Sequence, residues 1–249
     1  MAISDHAQAH DALFPLNDST LPQTDPELAD LFGNWALGDV VAHGGIDTRT
    51  RVLIQLASLI AMQAQGAYRL MVGTALDSGV SPVEVKEVLY QAIPYAGMGK
   101  VYDFLHITNE VFASRGIALP VEGQSTTGPD TRWQAGFNLQ IEVFGPRIQE
   151  GYDSAPANQV HVNDYLAANC FGDYYTRTGL DLATRELLTF CMLVSMGGAE
   201  PQAVGHAKGN ATVGNDKDFL INAVTQLLPF LGYPRTLNAL RCINEALPD

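Results

Sequence analysis

The chain repeats itself, and a repeat constrains the fold more than any single motif can. The run Gly38-Asp39-Val40-Val41-Ala42-His43-Gly44-Gly45-Ile46-Asp47-Thr48-Arg49-Thr50-Arg51-Val52-Leu53 returns as Gly172-Asp173-Tyr174-Tyr175-Thr176-Arg177-Thr178-Gly179-Leu180-Asp181-Leu182-Ala183-Thr184-Arg185-Glu186-Leu187. Gly, Asp, Gly, Asp, Thr, Arg and Leu recur in step, 134 positions apart. One residue is then inserted in the second copy, and the match resumes 135 apart. There Pro94-Tyr95-Ala96-Gly97 answers Pro229-Phe230-Leu231-Gly232, and Asn109-Glu110 answers Asn244-Glu245. A chain of 249 residues is therefore expected to be two halves. The boundaries fall at 1–118 (an N-terminal arm and the first repeat), 119–130 (a Pro, Gly, Ser and Thr linker) and 131–249 (the second repeat).

Both copies read as helices. Asp47 and Asp181 stand at N-cap positions, and the stretch Val52, Leu53, Leu56, Ala57, Leu59, Ile60 is apolar nearly all round, the pattern of a buried helix. A helix over 67–77 stops at Gly79. Ser81-Pro82-Val83-Glu84 forms a capping box, and the helix it opens is expected to end or kink at Pro94. The next helix runs over 99–114. In the second copy a lead-in helix covers 133–149, Pro201 opens another helix, Asn215 with Asp218 caps a third, and Pro229 ends it. Residues 1 to about 30 read as an arm with a short helix around Ala7–Phe14. No stretch alternates as a strand does, so the fold class is all-α.

The net charge of −13 speaks against a nucleic-acid surface, and no apolar run approaches membrane-span length. Three scattered cysteines, Cys170, Cys191 and Cys242, suit free thiols in a reducing compartment. With no basic, apolar leader at the start, the expected location is the cytoplasm. His106 and His161 have no ligand spacing, so no metal site is suggested.

The chemistry is expected where the copies differ. His43 faces Arg177, Val52 faces Glu186, and Met71 faces His206. A helix hairpin could bring Glu186 against His206, and a carboxylate beside an imidazole makes a general acid or base. Arg177 could clamp a substrate carboxylate. Plainer readings stand beside these: Glu186 pairs with Arg185 or Arg51, His206 is a satisfied structural histidine, and Arg177 bonds loop carbonyls. Glu84 and Glu87 are read as helix-capping and helix-dipole residues, Cys191 as a small hydrophobe, and Tyr95 and Phe230 as core aromatics beside a kink.

The residues 171–190, then His206, Gly214 and Pro229-Phe230-Leu231-Gly232-Tyr233-Pro234, resemble the carboxymuconolactone decarboxylase family. The first copy matches through Gly44-Gly45-Ile46-Asp47, Thr50-Arg51, Gly79, Ser81-Pro82, Glu84 and Tyr95-Ala96-Gly97. The resemblance implies two tandem helical bundles of the alkylhydroperoxidase-D-like type and a homo-oligomer, most simply a trimer. The peroxidase-like branch needs a Cys-x-x-Cys, whose positions are Ala199 and Gln202 here. The decarboxylase branch implies a small carboxylated lactone or enolisable acid as substrate and no cofactor. In that reading Arg177 holds the carboxylate, His206 donates the proton, and Glu186 orients His206. The alternatives are a thiol-dependent redox protein and a non-catalytic oligomeric binding protein.

Overall fold

A computed structural model describes residues 21–248; the helix expected around Ala7–Phe14 lies outside them. The described residues form helices and no strand. After a single turn at Leu21–Thr24, α1 (Pro26–Phe32) runs into a wide-turned π-helical segment (Gly33–Asp39) and a last turn, Val40–Ala42. The first repeat continues with α2 (Thr48–Ala61), α3 (Gln65–Asp77), α4 (Pro82–Ala96) and α5 (Met98–Ser114). Residues between Arg115 and Thr131 carry no helix. The lead-in is two helices, α6 (Arg132–Phe144) and α7 (Arg147–Asp153), because Gly145 takes a positive φ and Pro146 follows it. The second repeat is α8 (Val160–Tyr165), a π-helical segment (Leu166–Tyr175), α9 (Leu182–Met196), α10 (Glu200–Thr212), α11 (Lys217–Leu231) and α12 (Tyr233–Ala246). Thus α9–α12 restate α2–α5.

The two repeats share one hydrophobic core. Helices α2 and α9 pack on each other at its centre, and each also takes the other repeat's proline-containing helix, α4 against α9 and α11 against α2. That position explains why α2 is apolar all round: Leu53, Ile54, Leu56, Ala57 and Ile60 are wholly buried.

The capping signals place the helix starts. Asp47 accepts from the Thr50 amide at 2.9 Å, and Asp181 from the Thr184 amide at 2.7 Å. Ser81 and Glu84 form the reciprocal capping box. One cap is displaced from its expected place: Asp216, not Asn215, caps α11 by accepting from the Phe219 amide. Asn215 is turned away, donating to the Ala183 carbonyl and to Asn210 Oδ1. Neither Pro94 nor Pro229 ends its helix. Each removes one amide near the C-terminus, and the helix runs two residues further, to stop at the positive-φ glycines Gly97 and Gly232.

Helix α6 lies backbone-to-backbone against the second π-helical segment. A Cβ on Gly136 would sit 1.9 Å from the Ala167 carbonyl oxygen, and one on Gly172 would sit 2.1 Å from the Arg132 oxygen. Both clashes are with main chain, which has little room to yield. Gly172→Ala is expected to lower stability by roughly 3 kcal/mol, read as a reduced urea midpoint with the slope unchanged; a midpoint within error of wild type would refute this packing.

Candidate active site

The site begins with the second residue of a charged pair in α9. Glu186 has no exposed surface, and its Oε1 lies 2.6 Å from Nδ1 of His206 on α10. Gly209, one turn beyond His206, makes this approach possible, since a Cβ there would come within 2.4 Å of Glu186 Oε1. Asn210 ties the two helices by donating to the carbonyls of both Glu186 and His206, at 3.0 and 2.8 Å. A carboxylate only accepts, so Nδ1 carries the proton and Nε2 is left for chemistry. Nε2 has no hydrogen-bond partner among the described residues, and the His206 side chain keeps 11 % exposure.

The other carboxylate oxygen, Glu186 Oε2, accepts from Tyr175 Oη at 2.8 Å. That hydroxyl also lies 2.7 Å from Thr189 Oγ1 and accepts from Tyr95 Oη at 3.2 Å. Tyr95 belongs to α4 of the first repeat, so both repeats build the site. The imidazole is held edge-on between the rings of Tyr95 and Phe144, with centroids 5.4 and 5.2 Å away. Burial, followed by the neighbouring Cys170, Tyr175 and Glu186, raises the Tyr95 pKa well above its ordinary value. Burial and then Glu186 do the same to Tyr175. Both phenols therefore stay protonated donors at neutral pH. Cys170 Sγ sits 3.7 Å from Tyr95 Oη, with its pKa pushed up to about 12, chiefly by burial.

Arg177 is placed differently from its sequence reading. Its Nε and Nη2 engage Glu87 of α4 at 2.9–3.1 Å, and its guanidinium lies over the Tyr90 ring. Two of its three nitrogens are thus engaged by a carboxylate of the other repeat. Glu87 in turn is no helix-dipole residue: it is 1 % exposed and also takes Arg185 at 2.8 Å. Arg185 is wholly buried, and bonds Gln91 Oε1 and the carbonyls of Arg177 and Thr178 besides. The paired reading of Glu186 with Arg185 or Arg51 does not hold either, because Glu186 faces His206.

Tyr175, Thr189 and the role of Tyr95 escaped the sequence reading. The repeat held a cue for the first: Tyr175 faces Val41, a further polar gain in the same copy, whereas Thr189 faces the already polar Gln55. His106 and His161 lie against the rings of Tyr102 and Tyr165. Among the described residues no group of three or more His, Cys, Asp or Glu side chains is placed to hold a metal ion.

The family model described as "Carboxymuconolactone decarboxylase family" matches this chain twice, over residues 26–110 and 161–245. The chain belongs to the carboxymuconolactone decarboxylase family. It is also similar to the 4-carboxymuconolactone decarboxylase of Acinetobacter baylyi, with 28 % identity over 92 residues that span 37 % of this chain and 69 % of that protein. The two family matches cover the two helix sets that share the core. In this family member the Glu186–His206 pair is confined to the second match, while Tyr95, Glu87 and Gln91 enter from the first.

All three thiols are free and buried, and burial raises each. A thiol raised in the folded state stabilises the fold at pH values below its unfolded pKa, near 8.5. That contribution is lost as pH climbs from there towards about 12, because only the unfolded chain ionises. The folded protein is therefore expected to resist a thiol reagent at pH 8 until denatured, and to lose stability progressively above pH 9. Rapid labelling of Cys170 in the native protein would contradict this.

Proposed function

We propose that this chain is a cofactor-independent carboxy-lyase whose proton donor is Nε2 of His206. The observation that carries the reading is the 2.6 Å contact of His206 with a wholly buried Glu186, in the one repeat that has both residues. A carboxylated unsaturated lactone can lose CO₂ without a cofactor if its lactone carbonyl accepts the electron pair of the breaking carbon–carboxylate bond. The resulting dienolate must then receive a proton on carbon. A protonated His206 supplies that proton from Nε2, while Glu186 keeps the imidazolium paired through Nδ1 and Tyr175 holds the far oxygen of Glu186. Solvent then restores the proton. With Arg177 engaged by Glu87, the imidazolium is itself the cation that meets the substrate. The thiol-dependent alternative is disfavoured by the upward shift of every cysteine.

The direct test is CO₂ release and ultraviolet absorbance with 4-carboxymuconolactone. Wild-type turnover is expected, with His206→Ala lowering kcat by about 100-fold or more and Glu186→Gln by about 10-fold or more. Absent wild-type turnover rejects this substrate; turnover that survives His206→Ala rejects this site.

We infer in addition that the chain self-associates. Leu28 and Leu31 of α1 are exposed at 56 % and 65 %, and their counterparts 134 residues on, Val162 and Tyr165, at 55 % and 63 %. The same apolar face is thus presented twice, which supports a closed homo-oligomer such as the trimer. Sedimentation is expected to give a multiple of 26.8 kDa that falls to the monomer when Leu31 and Tyr165 are both changed to Asp; a monomeric wild type removes this inference.

A further inference from the structure

The ion pair at the junction of the repeats and the acid–base pair are joined by hydrogen bonds. Arg185 Nη1 donates to Gln91 Oε1 at 3.1 Å, which fixes the way the Gln91 amide faces. Gln91 Nε2 then donates to Thr189 Oγ1 at 3.1 Å. Thr189 Oγ1 lies 2.7 Å from Tyr175 Oη, which lies 2.8 Å from Glu186 Oε2. Glu186 Oε1 meets Nδ1 of His206 at 2.6 Å. Arg185, Gln91, Thr189 and Glu186 have no exposed surface, and Tyr175 is 3 % exposed, so bulk water does not compete for these protons.

The two ends dictate the direction of every proton between them. A guanidinium only donates, an ionised carboxylate only accepts, and each hydroxyl has one proton to give. Tyr175 gives its proton to Glu186 and must accept from Thr189; Thr189 gives its proton to Tyr175 and must accept from Gln91. Tyr95 is a second donor to Tyr175, at 3.2 Å. Burial keeps the Tyr175 phenol protonated at neutral pH. The chain therefore runs one way, from Arg185 to Glu186, and hydrogen bonds aligned in one sense strengthen each other.

The first repeat shows that an arginine and a glutamine at these positions do not bond by packing alone. It keeps both, as Arg51 and Gln226, but has Gln55, Val41 and Val52 in place of Thr189, Tyr175 and Glu186. There Gln226 Nε2 donates to the Val40 carbonyl at 2.8 Å, and its Oε1 is buried with no partner among the described residues. The arginine–glutamine bond is made in the repeat that has the acid–base pair and not in the other.

We propose that Gln91 and Thr189 are positioning residues: by holding the Tyr175 proton on Glu186 Oε2 they leave Oε1 to Nδ1 of His206, and so fix the tautomer that frees Nε2. The inference rests on reading His206 as the acid. Besides His206, the titratable groups that face Glu186 are Tyr175 and Cys170 of the π-helical segment and Tyr95 of α4. From α6 the uncharged Phe144 meets the imidazole. When the chain is cut, the donor on Oε2 weakens, the carboxylate charge concentrates, and the imidazolium beside it is held more firmly.

The experiment follows the ring nitrogens of His206 by NMR against pH in the full chain, with His206→Gln assigning the signals. In wild type the neutral ring is expected to carry its proton on Nδ1. Thr189→Val and Gln91→Met should each raise the titration midpoint by about half a unit or more, whereas Thr189→Ser, which keeps the hydroxyl, should match wild type. Because the two residues act in series, the double variant should move no further than Thr189→Val alone. Thr108→Val is the control: it removes another buried threonine–tyrosine bond, 2.7 Å to Tyr68, and should leave His206 unmoved. An Nε2–H tautomer in wild type overturns the proposal with no variant needed. So does an unchanged midpoint in a folded Thr189→Val or Gln91→Met, an equal change in Thr108→Val, or shifts that add in the double variant. The spectrum is read without turnover, so a wild type inactive on 4-carboxymuconolactone rejects that substrate, while the spectrum alone decides the positioning.

Discussion

Arg185 and Glu186 are consecutive, oppositely charged and both wholly buried, yet they do not pair with each other. Neighbours in a helix point about 100° apart, so each must find its partner on a different side. Arg185 finds Glu87, across the junction of the repeats; Glu186 finds His206, on the next helix of its own repeat. Removing one partner of a buried pair costs roughly 3–5 kcal/mol, because the other charge stays buried alone. The junction of α4 with α9 and the hairpin of α9 with α10 are therefore set by a single turn of α9. The same turn that holds the halves together holds the imidazole.

Each half packs side chains into the other. The first repeat lends Glu87, Gln91 and Tyr95 to the second, and the second lends Asn222, Gln226 and Phe230 to the first. The loss of the acid–base pair from the first repeat is concerted: Val41, Val52, Met71 and Asn222 replace Tyr175, Glu186, His206 and Glu87 together. Losing Glu186 alone would strip His206 of its anchor; losing His206 alone would strand a buried carboxylate. Tyr175, Glu186 and His206 form one hydrogen-bonded unit and are sensibly kept or lost as one, while Glu87 belongs to the separate pair with Arg185.

This physics also separates what was legible in the sequence from what was not. Capping and helix burial are local, so Asp47, Ser81, Glu84 and Asp181 were placed by spacing alone. The Asp216 cap was missed by one residue because two adjacent polar side chains can each serve, and Asn215 had a better partner in Asn210. The approach of Glu186 to His206 followed from a hairpin of successive helices, a short-range argument. The partner of Arg177 was not legible because it is 90 residues away in the other repeat. Nothing near an arginine in sequence says whether its charge is already spent. The partners of Glu87 were hidden for the same reason, and Tyr175 stood against Val41 without being singled out.

The arrangement around His206 has the features that the proposed proton transfer requires. Satisfying a buried carboxylate would take any two donors, and Tyr175 with Thr189 nearby could have been supplemented by another hydroxyl. An imidazole gives Glu186 a partner with a second nitrogen left unbonded among the described residues, and the side chain keeps 11 % exposure for His206 against none for Glu186. Tyr95 and Phe144 meet the ring edge-on and keep it from turning. The tyrosines are held as neutral donors by burial, so the charge of Glu186 is answered through Nδ1 and is felt at Nε2. A rigid imidazole with one nitrogen anchored on a buried carboxylate and the other without a partner among the described residues is suited to deliver a proton to a carbon placed beside it.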